Sequence, residues 1–561
     1  MNQHNTELCQ INLLTFNFNK AGANGNIRSE KERLTTSQFD LQVQRIHSFV
    51  FDSENIFQNE KTKNICAIIG YISNLNDIKS RYSISKKNDV EIIEELYRCI
   101  DLELIHELDG VFTLFIWNGN EQKGYIFQDR FASNLPLYYI GTENQLVMST
   151  SLKQILKLVQ VERKLDVSAV LDFLATGFTV PNETTFIEGV KKLTLSRYLE
   201  INANNGTIKN RTYMLQMEKV SRKYAEENLM CSLDKQISSL YNQLAHKELA
   251  CTLSGGFDSN LILHHLAKLS ENVTAITIAG KKRDEIPQAR EIAQDYTNVK
   301  HIYSRVEANK LQLLPDIIWK TEGYLCEDGL FLQLQLAEML TNVGKHCFLG
   351  ECADQVLNQY RLSFHPLLMA RELLRYLKRR IMIKECPISF KETNFIKYLR
   401  KPSLKIEYDI LLDTILKKSG IMLNNYGIQG IYPFLNKHTY AISKQLGSLN
   451  DKKEFYKKRV GEILGERKMS IIRDEGGSTD IEYLFQGQDE IITKLMDSQL
   501  IKKILGRERM LRIKNTLELG YEFVLRLLTI FLFNRLFVSG DFDSKLDEQN
   551  LDVTLDAFFE D

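Results

Sequence analysis

Short apolar or alternating runs, each about the length of a strand, set the pattern of the first part of the chain. They fall at residues 11–16, 67–72, 111–117, 123–128, 137–140 and 145–149, and their period of two predicts β-strands. Two stretches, 90–100 and 151–159, instead space their apolar residues three and four apart and predict helices. Asn118-Gly119-Asn120 marks a turn, and Asn204-Asn205-Gly206 closes a hairpin between runs 198–201 and 207–213. From Leu249 the rhythm changes. Apolar strand-like runs at 249–253, 273–278, 300–306 and 347–349 alternate with helical patterns at 260–269, 285–296, 310–322 and 330–342. That alternation predicts a parallel sheet with helices on its faces, so the fold class is α/β. Beyond Leu357 the pattern is mostly helical, with basic runs at 371–384 and 502–514 and an acidic end from Asp541 that reads as mobile. The polar stretch 216–227 reads as a linker, giving domains at 1–215 and 216–561.

Bulk properties narrow the picture. A chain of 561 residues is too long for one ordinary core, which supports the two-domain division. The formal net charge is zero, so no overall field draws nucleic acid or an anionic membrane. The 9 cysteines are scattered, odd in number and without a CxxC pair, which argues against a zinc site or a disulfide frame and for a reducing, cytoplasmic setting. The polar start, Met1 to Glu7, does not resemble a signal peptide. The apolar segment 523–538 is broken by Arg526 and Arg535 and reads as a core helix rather than a membrane span.

The chemistry concentrates in Leu253-Ser254-Gly255-Gly256-Phe257-Asp258-Ser259, placed between a predicted strand and a predicted helix. A glycine-rich turn there turns backbone N–H groups toward one spot. The following helix adds the positive end of its dipole, and the serines add hydroxyl donors. Together they form a phosphate cradle. Asp258 would repel phosphate unless a divalent cation lay between them, and hard oxygen ligands suit Mg²⁺. No Gly-Lys-Ser/Thr follows, so this is not a Walker loop. The plainer reading is a strand–turn–helix link with serine as a helix cap. The end of the fourth strand brings Gly350, Glu351 and Asp354 to the same side of the sheet, where ligands bind in such folds.

These residues, with Ile278-Ala279-Gly280, Asp284-Glu285, Leu349-Gly350-Glu351-Cys352-Ala353-Asp354-Gln355 and Tyr432-Pro433-Phe434-Leu435-Asn436, resemble the synthetase domain of asparagine synthetases. Upstream, Leu108-Asp109-Gly110-Val111-Phe112, Gln128-Asp129-Arg130-Phe131, Pro136-Leu137-Tyr138-Tyr139 and Met148-Ser149-Thr150-Ser151-Leu152-Lys153 resemble that family's glutaminase-like domain. The resemblance implies an Ntn-type αββα sandwich followed by an adenine-nucleotide α-hydrolase-like (PP-loop) domain with a helical C-terminal part. It also implies a reaction: ATP, with Mg²⁺, adenylates a carboxylate and releases pyrophosphate, and an amine then displaces AMP.

Departures from the family narrow the expectation. Its glutaminases need a cysteine directly after the initiator Met as nucleophile, and position two is Asn2. Removal of the first eight residues would expose Cys9; the plainer reading of Cys9 is a buried strand residue. The family's Asn-Gly-Glu strand motif is Ile69-Gly70-Tyr71, which lacks a side-chain donor for the oxyanion, typically a loss of about a hundredfold. The expected protein therefore makes no ammonia from glutamine. It resembles the β-lactam-forming synthetases and the lasso-peptide macrolactam cyclases, which take the amine from within the substrate. Phe455-Tyr456 ahead of Glu466-Arg467-Lys468-Met469 and the apolar-basic end lean toward the cyclases. For these the resemblance implies a peptide substrate, with a leader-binding protein and a cysteine protease as partners. Two other readings stay open. One is the same chemistry on a small carboxylate with ammonia or another amine. The other is a non-catalytic ATP-binding scaffold, which Gln355 and Asn436, standing where the family has acids, would suit.

By the resemblance, Ser254, Gly255, Gly256 and Ser259 hold the pyrophosphate part of ATP, Leu253, Ile278 and Gly350 border adenosine, and Asp258 and Asp354 hold Mg²⁺. Taken singly, Leu253 and Ile278 are sheet-core residues, and Asp354 is an acid at a helix start. Glu351 matches a glutamate near the reacting carboxylate and is the candidate base for the amine. Lys468 matches a lysine that stabilises the leaving phosphate, with Lys453 as a second possibility. Either lysine also reads as a solvated side chain. The catalytic tyrosine of the β-lactam branch has no assignable counterpart; Tyr324 and Tyr360 are near Glu351 in sequence. The basic runs would guide an acidic peptide or simply be solvated faces.

Overall fold

Among the residues described by the computed structural model, twelve strands build the N-terminal half: β1 (Ile11–Asn17), β2 (Lys31–Thr36), β3 (Phe39–Ile46), β4 (Ile56–Gln58), β5 (Ile65–Ile72), β6 (Gly110–Asn118), β7 (Lys123–Gln128), β8 (Tyr138–Gly141), β9 (Gln145–Ser149), β10 (Lys191–Lys192), β11 (Arg197–Asn202) and β12 (Thr207–Thr212). The described residues are 11–559 except 18–30, 37–38, 47–55, 132–134, 142–144, 160–161, 178–182, 214–218, 245–248, 282–283, 325–328, 358–415, 447–448, 473–480 and 507–519. The strands form two antiparallel sheets, ordered β10-β8-β9-β1-β3-β2 and β12-β11-β7-β6-β5-β4. The period of two explains why the sheets stack. Along β6, Phe115 and Trp117 point between the sheets with Tyr139 and Met148. Phe112, Leu114 and Ile116 point the other way, onto Val90, Ile93 and Leu96 of the helix Asp89–Ile100. The helices Leu152–Leu158 and Val167–Thr176 cover the outer face of the other sheet through Tyr138, Ile140 and Val147. The result is the expected αββα sandwich.

Among the described residues, the second half carries one sheet of five parallel strands, β13 (Leu249–Thr252), β14 (Val273–Ala279), β15 (Val299–Arg305), β16 (His346–Phe348) and β17 (Gln429–Ile431). Their order is β15-β14-β13-β16-β17, with every pair parallel. Helices flank it, followed by a mostly helical C-terminal part in which Gly520–Phe533 is buried along most of its length. No helix among the described residues is long and apolar enough to cross a membrane.

Two expectations change. The linker read at 216–227 is partly helical, because Arg222–Leu244 forms one helix whose Ala225, Leu229, Leu233, Ile237 and Leu240 line a buried stripe at the period of an amphipathic helix. The acidic end is docked through residue 559. Leu546, Leu551, Leu555 and Phe558 are buried, and the backbone oxygen of Glu548 accepts the Trp319 indole N–H at 2.9 Å. Its charges face outward while widely spaced apolar side chains hold it down. The basic run 371–384 lies outside the described residues, as does most of 502–514.

The two halves join through charged groups placed on each other's helix ends. Asp109, buried beside β6, accepts the N–H of Lys437 and the amide of Asn436, both at 2.9 Å, at the start of the helix Lys437–Ser443. Buried Glu322 accepts the Leu152 N–H at 2.7 Å, the Lys153 N–H at 3.2 Å and the Ser151 hydroxyl at the start of Leu152–Leu158. At the far end of Val167–Thr176, Arg526 donates to the carbonyls of Leu174 and Ala175. Acids sit at N-termini and the cation at a C-terminus, as the helix dipole favours. Burial pushes both carboxyls up in pKa; nearby Arg130 opposes that at Asp109 and Lys153 at Glu322.

Candidate active site

Chain order reverses between β13 and β16. From β13 the chain moves to β14 and β15 on one side, whereas β16 and β17 lie on the other. A crevice opens at such a switch point beyond the carboxyl ends of the strands. The Ser254 loop leaves β13 there, and Gly350-Glu351 leaves β16 there.

The loop is tied by its own side chains. Ser259 Oγ accepts the Ser254 N–H at 3.0 Å and lies 2.8 Å from Ser254 Oγ, which accepts the Gly256 N–H at 3.1 Å. Asn260 donates its amide to the carbonyls of Ser254 and Gly256. The helix Phe257–Leu269 starts at Gly256 with no side-chain cap, so its first N–H groups face the crevice with the positive end of the dipole. Gly350 lies against this start. A Cβ on Gly350 would stand 3.1 Å from the Ser259 nitrogen and 3.4 Å from the Asp258 Cβ, so a side chain would push the two loops apart. Leu253 is buried, with its N–H on the Ile276 carbonyl at 2.8 Å, and its own carbonyl accepts the Thr277 hydroxyl. Ile278 is half-buried at the end of β14.

Asp258 opens that helix, and Asp354 lies in the helical turn Ala353–Val356 after β16. Tyr456, from the helix Leu449–Leu464, reaches Asp258. Its buried hydroxyl donates to Asp258 Oδ1 at 2.8 Å. Burial raises its pKa well above the usual tyrosine value, and the charges of Asp258 and Asp354 add to the rise, so it stays a donor. Among the described residues no group of three His, Cys, Asp or Glu side chains gathers to hold a metal by itself. Two carboxylates beside a phosphate cradle are the donor set for Mg²⁺ shared with phosphate oxygens, so the residues fit that ion.

Glu351 is held at both oxygens. Gln333 donates to Oε1 at 2.8 Å, and the Ser419 hydroxyl donates to Oε2. The lysines divide. Lys453 stands three residues before Tyr456 on the same helix. Lys468, on the short helix Glu466–Ile471, is 3.7 Å from Asp295 Oδ2 and 4.4 Å from the Tyr296 ring centre. Asp295 and Tyr296 lead into the start of β15, the sheet edge opposite the loop, so the structure does not bring Lys468 to the Ser254 loop. Asn436 has a structural part: its side chain caps Lys437–Ser443 by accepting the Thr439 N–H at 2.9 Å.

Below the loop, His264 Nδ1 lies 3.1 Å from the Tyr296 hydroxyl. Burial, then Lys268, lowers its pKa from 6.5 to about 4. The folded chain thus keeps this ring neutral where the unfolded chain takes a proton. Its contribution to stability is complete above pH 6.5 and fades as pH falls toward 4. The urea midpoint is expected to drop between pH 7 and 5, and His264→Gln is expected to shrink that drop. An identical slope in the variant would reject this assignment.

Comparison with known proteins places this geometry. A glutamine amidotransferase domain model matches residues 46–214, and an asparagine synthase model matches 239–441. The chain is 23% identical over 333 residues to asparagine synthetase [glutamine-hydrolyzing] 2 of Bacillus subtilis, covering 55% of this chain and 44% of that protein. It is 24% identical over 307 residues to asparagine synthetase [glutamine-hydrolyzing] 1 of the same organism, covering 54% and 48%. The chain belongs to the asparagine synthetase family. A putative asparagine synthetase 2 of Methanocaldococcus jannaschii is 23% identical over 361 residues, 60% of this chain and 67% of that protein. The match therefore spans about half the length of the two Bacillus relatives.

Within this family member, the segment Ile69-Gly70-Tyr71 lies on β5. Sequence reasoning saw what Tyr71 replaces but not what it touches. Its hydroxyl accepts the Tyr432 N–H at 2.9 Å, from the end of β17 in the other domain. Asn260, Ser419 and Gln333 gave no motif signal. Tyr456 was visible only as part of a loose resemblance.

Proposed function

We propose that this protein is an ATP-dependent, AMP-forming amide ligase that adenylates a carboxylate and closes a macrolactam within a ribosomal peptide. The observation that carries this reading is the uncapped helix start at Asp258, tied into a cradle by Ser254 and Ser259, met by the buried Tyr456 hydroxyl and packed against Gly350 from the adjacent strand end. In the reaction, the cradle of Ser254, Gly255, Gly256 and Ser259 holds the β- and γ-phosphates. A carboxylate oxygen attacks the α-phosphorus, and pyrophosphate leaves. Mg²⁺, held by Asp258 and Asp354, would offset charge developing on the phosphates. A neutral amine then attacks the acyl carbon, AMP departs, and Glu351 takes the amine's proton. Lys453, three residues before Tyr456 on its helix, is the cation proposed to approach the phosphates.

An amine from within the substrate suits a chain with Ile69 and Tyr71 where glutaminases of the family carry Asn and Glu. The names of the Bacillus relatives favour a second reading, asparagine-type amide formation, here with free ammonia or another amine. The test is incubation with MgATP and a panel of peptides bearing a free N-terminal amine and an internal Asp or Glu, with aspartate plus ammonia in parallel. The expected result is AMP, pyrophosphate and a peptide lighter by one water. Asparagine as the sole product would select the second reading, and ADP in place of AMP would reject both.

A further inference from the structure

A polar chain, buried at its centre, links the N-terminal domain to Glu351. The Tyr71 hydroxyl, on β5, accepts the Tyr432 N–H at 2.9 Å. The Tyr432 hydroxyl lies 2.9 Å from Ser419 Oγ, and Ser419 donates to Glu351 Oε2. Because the Ser419 proton goes to the carboxylate, the Tyr432 hydroxyl must supply the proton shared with Ser419. Tyr432 is fully buried, and Gly430 makes room for it: a Cβ there would stand 2.7 Å from the Tyr432 oxygen. Burial raises the pKa of both tyrosines, so both hydroxyls stay protonated. Cys352, next to Glu351, is buried in a left-handed conformation at φ 68°. A non-glycine residue holds that backbone form only when its surroundings enforce it.

We propose that Tyr71 is a positioning residue of the synthetase site: it braces the Glu351 turn across the domain boundary through Tyr432 and Ser419. The family-typical acid after Gly70 is thus replaced by a group that reaches the other domain, and the N-terminal half serves the ligase site as a support. This rests on the ligase reading for its kinetic consequence but not for its structural one, and the test separates the two.

In the full chain, Tyr71→Phe removes the acceptor and keeps the ring. Timed alkylation with peptide mass mapping is expected to show Cys352 reacting roughly fivefold faster, the effect of losing one hydrogen bond. Buried Cys66 and Cys251 should hold their wild-type rates. With a peptide that supports AMP release, kcat should fall and its pH profile shift, while KM for ATP stays unchanged. Ser419→Ala breaks the chain at its other end; it should also speed Cys352, and it carries the test if Tyr71→Phe does not fold. An unchanged Cys352 rate overturns the proposal, as does a uniform rise at all three cysteines, which marks general loosening. Absence of AMP release by the wild-type protein would remove the ligase reading and leave the Cys352 comparison to decide the brace.

Discussion

Asp258→Asn is expected to lower ATP-dependent AMP release by about a hundredfold or more while leaving the protein folded. The substitution keeps an oxygen that accepts the Tyr456 hydroxyl, so the contact at Asp258 Oδ1 survives. What it removes is one of two carboxylate charges beside the cradle, and a magnesium ion shared with phosphates relies on one or two such ligands. Manganese binding in the presence of ATP, read by electron paramagnetic resonance, should weaken in parallel, and the melting temperature should not move. Near-normal AMP release would mean that Asp258 is a helix-start acid with no part in metal binding.

The largest stability effect is expected at Glu322→Ala. The carboxylate accepts two backbone N–H groups and the Ser151 hydroxyl, all at one buried helix start. Truncation takes the acceptor from these donors and removes the negative charge that interacts with Lys153. Removing the charged partner of such a set costs about 3 kcal/mol. The urea midpoint should fall accordingly. Glu322→Gln should recover part of the loss, because the amide oxygen still accepts one donor. A loss below about 0.5 kcal/mol would class Glu322 with ordinary surface acids.

Much of the fold was legible because its signals are local. The period-two runs became β5, β6, β7 and β9, and the alternation after Leu249 became the parallel sheet. The strands β2 and β3 were not foreseen, since Lys31–Thr36 is mostly polar and Phe39–Ile46 alternates polar and apolar residues without a flanking turn signal. The Ser254 loop was legible because one short segment carries its whole chemistry. Tyr456 was not, because it meets Asp258 from 198 residues away. Tyr71 and Tyr432 are separated by 361 residues, and nothing in either neighbourhood marks the other. Lys468 shows the reverse case: a motif match names a residue type, whereas the structure pairs that side chain with Asp295.

The helix-end contacts at Asp109, Glu322 and Arg526 bear on how this chain can change over evolutionary time. Each half supplies side chains that complete helix termini of the other. Gene fission or deletion of one module would strand buried helix ends in the survivor, so parting the two halves carries a cost in stability.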